Sequence, residues 1–340
     1  ELDRRFAPGE LCAQLAAAAQ AATTEEELAR NLRRQRTRQQ VRIIWRDLTR
    51  QADLVETCRD LSDMADAAID QAYQWLYPRH CQQFGTPIGN RSGLPQQMVV
   101  LGMGKLGAVE LNLSSDIDLI FAFPEGGETE GVKRSLDNQE FFTRLGQRLI
   151  KALDPITVDG FVFRVDMRLR PYGSSGALTL SFNALEQYYQ DQGRDWERYA
   201  MIKARVVAGD QVAGAQLQEM LRPFVYRRYL DFSAIEALRT MKQLIQQEVR
   251  RKGMAENIKL GAGGIREVEF IAQAFQLIHG GRDLSLQQRP LLKVLATLEG
   301  QGYLPAAVVD ELREGYLFLR YTEHAIQAIA DRQTQMLPDG

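Results

Sequence analysis

The sequence predicts an α+β protein that is predominantly helical, with a small mixed sheet at its centre. Three observations carry this. Apolar residues recur at helical spacing on both sides of the chain's middle, from Leu11 to about Tyr77 and again from Ser181 onward. Short strand-like runs occur only between Met98 and Leu180. A stretch rich in turn residues, Phe84 to Gln97 with Gly85, Pro87, Gly89, Asn90, Gly93 and Pro95, separates the first helical texture from the core. The expected division is therefore a helical region over 1–97, a core over 98–180 and a second helical region over 181–340.

Each element has its own signal. Thr24 followed three residues later by Glu27 reads as a capping box, so a helix begins near Glu25. Along it, Val41, Ile44, Trp45 and Leu48 form one apolar stripe, while Arg30, Arg33, Arg34, Arg36, Arg38 and Arg42 read as a solvated face ahead of a contact for a phosphate or an acidic partner. Met98 to Gly102 and Ile117 to Phe123 read as buried strands, Pro124 to Gly131 as a turn and Asn138 to Leu153 as a helix. Phe161 to Arg170 reads as the clearest strand. Phe161, Phe163, Val165, Met167 and Leu169 fall on one face of it, with Arg164, Asp166, Arg168 and Arg170 on the other. Ala177 to Leu180 adds a further strand. Beyond it the helices are broken near Gly209, near Gly253 and at Gly261 to Gly264, and Ile235, Leu238, Met241, Ile245 and Val249 give one of them a buried face.

Composition narrows the function classes. The chain has 340 residues, 45% of them apolar and 25% charged, which excludes disorder, collagen and a small disulfide scaffold. Lys and Arg number 42 against 44 Asp and Glu, so no global charge draws it to nucleic acid or a membrane surface. No apolar run approaches the roughly 18 residues of a membrane span. Cys12, Cys58 and Cys81 are scattered, and His80, His279 and His324 gather into no zinc spacing. Free thiols in a reducing cytoplasm are expected. The chain opens on Glu rather than Met, which reads as an excised or processed piece, so a lost targeting segment stays open.

The chemistry concentrates in Leu101 to Ile120. Asp116 and Asp118 stand two apart on an extended chain, so their carboxylates share a face. Two carboxylates so close repel unless a cation sits between them, and hard oxygens at that spacing suit Mg²⁺ or Mn²⁺. A two-metal phosphoryl-transfer site needs a third carboxylate, and Asp166 supplies it, with Arg168 and Arg170 on the same face to neutralise phosphates. Upstream, Gly102, Gly104 and Gly107 surround Lys105; they read either as a phosphate-approaching turn or as a plain strand-to-helix turn. Lys259 with Gly261 to Gly264 reads either as an anion nest for a second phosphate or as a helix connector. A second candidate for that phosphate is Arg194 to Arg198 with Lys203 and Arg205, where Trp196 and Tyr199 read as core first and as base-stacking second. Glu267 and Glu269 diverge on their helix, so at most one faces the site.

Gly102 to Phe121, Val165 to Pro171, Gln192 to Ala200 and Lys259 to Phe270 together resemble the bifunctional glutamine synthetase adenylyltransferase/adenylyl-removing enzymes, from about Arg30 to Pro338. The resemblance implies a core of the DNA polymerase β-like nucleotidyltransferase type. It also implies that Asp116, Asp118 and Asp166 hold Mg²⁺ (or Mn²⁺) and that Gly104, Lys105 and Ser115 line nucleotide phosphates. The wording Glu-Leu-Asn-Leu-Ser-Ser-Asp at 110–116 is similar to the amino-terminal, adenylyl-removing half of that family; the other half typically reads Gly-Tyr-Gly-Ser-Asp-Leu-Asp. Ala108 stands where the family often has a further glycine. The implied activity is phosphorolytic removal of AMP from a tyrosine of glutamine synthetase, releasing ADP under control of the PII signal protein. ATP-dependent adenylylation and a silent nucleotide- or PII-binding module are the alternatives. Partners are glutamine synthetase, PII, inorganic phosphate and ADP or ATP, with no membrane and no nucleic acid.

Overall fold

The computed structural model describes residues 2–227, 236, 239–240, 242–243, 247, 251, 257–329, 331 and 333–337. Helices α1 (Glu10–Gln20), α2 (Glu25–Leu48) and α3 (Leu54–Phe84) come first. Thr24 caps α2 by accepting from the Glu27 amide, while the Glu27 carboxylate reaches one residue further back, to the amide and hydroxyl of Thr23. The expected helix start holds. Its expected faces do not.

On α2 the structure reverses the hydropathy reading. Of the expected stripe only Ile44 packs partly against the core; Val41, Trp45 and Leu48 are 54%, 46% and 50% exposed, whereas Arg33, Arg36, Arg42 and Arg46 are buried. Each inward arginine with a described partner has its charge matched. Arg36 pairs with Asp331 at 2.8 Å and lies over the Phe161 ring. Arg42 bonds the Arg4 carbonyl and Glu10 and stacks on Phe6. Arg46 joins Glu56 at 2.5 Å. A guanidinium carries five donors on a long apolar stem, so a ring of acceptors and aromatic faces takes it inside, which periodicity alone does not anticipate. Arg30 and Arg34 do stay outside, near Asp159.

β1 (Thr86–Pro87) pairs with the later β4 (Thr129–Glu130), so the segment read as a turn holds half of a small ribbon. The central sheet contains β2 (Val99–Gly102), β3 (Ile117–Phe123), β5 (Val165–Asp166), β6 (Thr179–Ser181) and β7 (Arg205–Gly209). Its order is β5-β3-β2-β7, with β6 also on β3. β2 runs antiparallel to β3 and β7, while β5 and β6 run parallel to β3. The sheet is mixed, and the protein is α+β and mainly helical.

Two expectations about strands change. β7 was read as part of a helical stretch; its run Val206 to Ala208 is too short and uniformly apolar to show a period of two. The alternation over Phe161 to Arg170 yields only a two-residue strand. Val162 and Phe163 are neighbours and both buried, and both amides bond the Leu153 carbonyl. After Asp166 the chain turns at once, because the Arg168 amide donates to the Asp166 carboxylate at 2.8 Å.

Helices cover both sheet faces: α4 (Gly104–Gly107), α5 (Asn138–Leu153), α6 (Phe182–Asp191), α7 (Asp195–Met201) and α8 (Gln211–Val225). Leu119, Phe121 and Phe123 join Val100 in a core with α1, α2, α3 and α5. Ile120 and Ala122 join Val99 and Leu101 in another core with α6, α7 and α8. Asp118 shares the side of Ile120 and Ala122, at the end of the strand. A third core gathers the start of α3 with α9 (Ile265–His279), α10 (Leu291–Gly300) and α11 (Ala306–Gln327). The expected helix carrying Ile235 to Val249 lies outside the described residues. Cys12, Cys58 and Cys81 are free thiols, and no helix among the described residues is long and apolar enough to cross a membrane.

Candidate active site

The parallel pairing of β5 with β3 builds the site. Its register sets Asp118 directly opposite Asp166. Asp116 immediately precedes β3, two residues from Asp118, so extended geometry turns it to the same side. Three carboxylates from two distant stretches meet at one end of the sheet. Gly104 lets α4 begin beside them. Its φ is +52°, and a side chain there would place a Cβ 3.0 Å from an Asp118 oxygen.

The electrostatics differ among the three. Burial, then the charges of Asp166 and Asp116, push the Asp118 carboxyl up to about 6, against the pull of Lys259 and Arg168. Burial also works against the Asp166 anion, but hydrogen bonds from the Arg168 side chain and amide outweigh it and hold that group below its usual value. Asp116 accepts from Arg164 at 2.7 Å on one oxygen and from Gln333 at 3.0 Å on the other. Among the described residues no donor bonds the Asp118 carboxylate, and no three acidic, imidazole or thiol side chains already stand close enough together to hold a metal. Two of the carboxylates are turned onto guanidinium groups, which stand where cationic charge is wanted. The hard oxygen donors and the raised Asp118 carboxyl fit a divalent cation, provided that those clasps exchange for it.

The other expected residues are spread around this end. Ser115 is half-buried between the chain-fixing Ser114 and Asp116. Lys105 pairs with Glu323 of α11 at 3.0 Å. Burial draws its ammonium down to about 8, while Lys105 and Arg320 overcome burial at Glu323 and keep it low, so both are charged at neutral pH. Arg170 spends its guanidinium on the carbonyls of Met167, Ser174 and Gly176, bracing the loop after β5. Arg168 is 79% exposed on its side chain while it clasps Asp166. Lys259 is half-buried near Asp118, and no hydrogen bond or ion pair among the described residues holds its ammonium.

Both expected phosphate loops are occupied internally. The Gly263 amide bonds the Glu267 carboxylate at 2.9 Å, and those of Gly264 and Ile265 bond the Gly261 and Ile258 carbonyls. Glu269 instead pairs with buried Lys203 at 2.7 Å. Arg205 is bidentate to Asp66, and Arg198 binds Asp195 and the Phe224 carbonyl. Trp196, expected in the core, is 40% exposed; Tyr199 stacks on Phe270. Gly107 has a packing reason, since a Cβ there would stand 1.9 Å from the Lys203 carbonyl. Arg164 and Gln333 were missed. Arg164 precedes Val165, the partner of Ile117, just as Asp116 precedes Ile117, so the register pairs them; only strand pairing reveals this. Gln333 has no local signal.

Comparison with known proteins meets this geometry. A family model described as glutamate-ammonia ligase adenylyltransferase matches residues 1–220, and one described as GlnD PII-uridylyltransferase matches residues 239–340. Similar proteins carry the name bifunctional glutamine synthetase adenylyltransferase/adenylyl-removing enzyme. That of Pseudomonas putida is 92% identical over 340 residues, covering 100% of this chain and 35% of the relative. That of Pseudomonas aeruginosa is 83% identical over 338 residues, covering 99% and 34%. That of Nitrosococcus oceani is 59% identical over 337 residues, covering 99% and 35%. The chain thus spans about a third of the length of these relatives. With the first model matched across the sheet, the aspartates and all of α1 to α7, the chain belongs to the glutamate-ammonia ligase adenylyltransferase family.

Proposed function

We propose that this chain removes AMP from an adenylylated tyrosine of glutamine synthetase by phosphorolysis, releasing ADP. The observation that carries the reading is the β3–β5 register, which sets Asp118 against Asp166 with Asp116 beside them. In this reading Asp116, Asp118 and Asp166 hold Mg²⁺, with Mn²⁺ as substitute, and the bound ions supply positive charge that offsets what develops on phosphoryl oxygens and leaving group. An oxygen of inorganic phosphate forms a bond to the AMP phosphorus as the bond from that phosphorus to the tyrosine oxygen breaks. The electron pair leaves on the phenolate, which takes a proton from solvent. A phenol of pKa about 10 leaves without a dedicated strong acid.

Lys259 is the residue for the incoming phosphate, because its ammonium is close enough to act on Asp118 and is not otherwise paired among the described residues. Arg168, mostly exposed, exchanges Asp166 for a nucleotide phosphate. Gly104 and Ser115 line the nucleotide side. Lys105 bears on the site by its charge through Glu323, and Arg170 holds the loop that carries Arg168.

The direction of reaction rests on the Glu-Leu-Asn-Leu-Ser-Ser-Asp wording. Control by PII is supported by the match of residues 239–340 to the PII-uridylyltransferase model, and a cytoplasmic setting without membrane or nucleic acid goes with that substrate. A paired assay with Mg²⁺ tests the reading. Adenylylated glutamine synthetase plus phosphate should give ADP, while unmodified enzyme plus ATP should give no transfer. AMP transfer in the second tube would make this the adenylylating half. Silence in both, with partner binding retained, would make it a regulatory module.

A further inference from the structure

Asp116 is held on both oxygens, and the two holders come from opposite sides of the fold. Arg164, one residue before β5, donates to one oxygen at 2.7 Å and also to the Ser114 hydroxyl at 3.0 Å. Gln333 donates to the other at 3.0 Å, across 217 residues of sequence. Its backbone belongs to the segment after α11, of which residues 328–329, 331 and 333–337 are described.

That segment is tied to the site at several points. The Asp331 carboxylate pairs with Arg36 at 2.8 Å, and its carbonyl accepts from the Ser114 hydroxyl at 3.0 Å. At the end of α11, Gln327 accepts the Ser114 amide at 3.1 Å. The Gln335 carbonyl accepts the Ile258 amide at 3.0 Å, next to Lys259. The strap therefore grips the loop that presents Asp116 and the loop that presents Lys259. Arg36 and Arg164 lie over the same Phe161 ring, at 4.5 and 5.1 Å, which joins the strap's anchor to the second clasp on Asp116.

We propose that Gln333 is a positioning residue for Asp116, carried on this strap, and that it competes with a divalent cation for the carboxylate oxygen it holds. The inference rests on the reading of Asp116, Asp118 and Asp166 as the metal site. A carboxylate oxygen engaged by an amide donor is a poorer cation ligand until the donor leaves. Binding free energies are reciprocal, so cation binding loosens the strap by the same factor that the strap weakens the cation. The helical region that follows the sheet thereby sets how readily the site loads.

The test uses the 340-residue chain and Mn²⁺ alone, by calorimetric titration at pH 7, with hydrogen exchange as a second readout. Gln333→Ala should bind Mn²⁺ about five-fold tighter than wild type, the size expected for losing one competing hydrogen bond. Gln333→Asn, too short to reach, should behave as Gln333→Ala. In the wild type, Mn²⁺ should speed exchange of the Ile258 amide, which the Gln335 carbonyl protects. Unchanged or weaker Mn²⁺ binding by Gln333→Ala, or slower exchange at Ile258 on loading, overturns the proposal; a merely structural role would not tighten binding. Asp116→Asn separates the two levels. If it weakens Mn²⁺ while Gln333→Ala changes nothing, only the strap falls. If it leaves Mn²⁺ affinity intact, the metal site falls and the strap with it.

Discussion

Asp116 is the residue whose replacement should cost most for the smallest change of shape. In Asp116→Asn the amide keeps the size of the carboxylate but loses a charge that Arg164 uses and that the proposed cation site would use. We expect phosphorolysis to fall at least about a hundredfold, with far-UV dichroism and thermal midpoint near wild type. A fully active variant would sink the metal assignment. His80 makes a pH prediction at the same scale. It is buried, bonded to the Phe141 carbonyl and Arg148, and burial with the Arg148 charge presses its pKa down to about 4. An unfolded imidazole takes its proton near 6.5, so the unfolded state binds more protons between those values. The stability that His80 contributes is therefore complete above about 6.5 and is lost as pH falls toward 4. Urea denaturation should show the advantage of wild type over His80→Gln shrinking by about 1–3 kcal/mol from pH 7 to 4.5; a gap independent of pH refutes it. The paired aspartates were legible at this scale because proximity alone implies repulsion. The role of Arg164 was not, because a guanidinium's partner depends on strand register.

Helix α2 shows how far an element can be read from its pattern. Its capped start was legible; its buried face was not, since hydropathy ranks Val41 and Trp45 above arginine whatever surrounds them. The structure predicts that the usual ranking of substitutions is inverted here. Val41→Lys, at a position 54% exposed, should change unfolding free energy by less than about 0.5 kcal/mol. Arg46→Ala should cost about 2–4 kcal/mol, since it leaves Glu56 to the exposed Arg5 and removes the donor to the carbonyls of Asp3 and Gln51. Equal costs for the two in chemical denaturation would contradict the assigned faces. The strand over Phe161 to Arg170 teaches the converse. Alternation was present in the sequence, yet the chain turns after Asp166 because that carboxylate captures the Arg168 amide.

Across the whole molecule, α11 is joined to the site by charge. Glu323 is fully buried and holds Lys105 beside the Gly102 to Gly107 turn, and Arg320 on the same helix holds the Glu110 carbonyl and Asn112 just upstream of the aspartates. Glu323→Gln would leave Lys105 and Arg320 short of a buried counter-charge. The expected loss is about 3–5 kcal/mol in unfolding free energy, read by denaturant titration, with Glu323→Asp losing less; a neutral Glu323→Gln would show that this contact does not tie α11 to the core. By itself the sequence determined the fold class, the helix bounds near Glu25, Asn138 and Ile265, and the two main strands, and it singled out the three aspartates that the strand register brings to one end of the sheet. Capping, periodicity and carboxylate repulsion are local effects written in neighbouring residues. Tertiary structure alone decided that β7 completes the sheet, that arginines fill the inward face of α2, that Lys105 turns to Glu323, and that Gln333 reaches Asp116. Each of these depends on a partner tens to hundreds of residues away, and the free energy of a buried charge is set by that partner rather than by the residue that carries it.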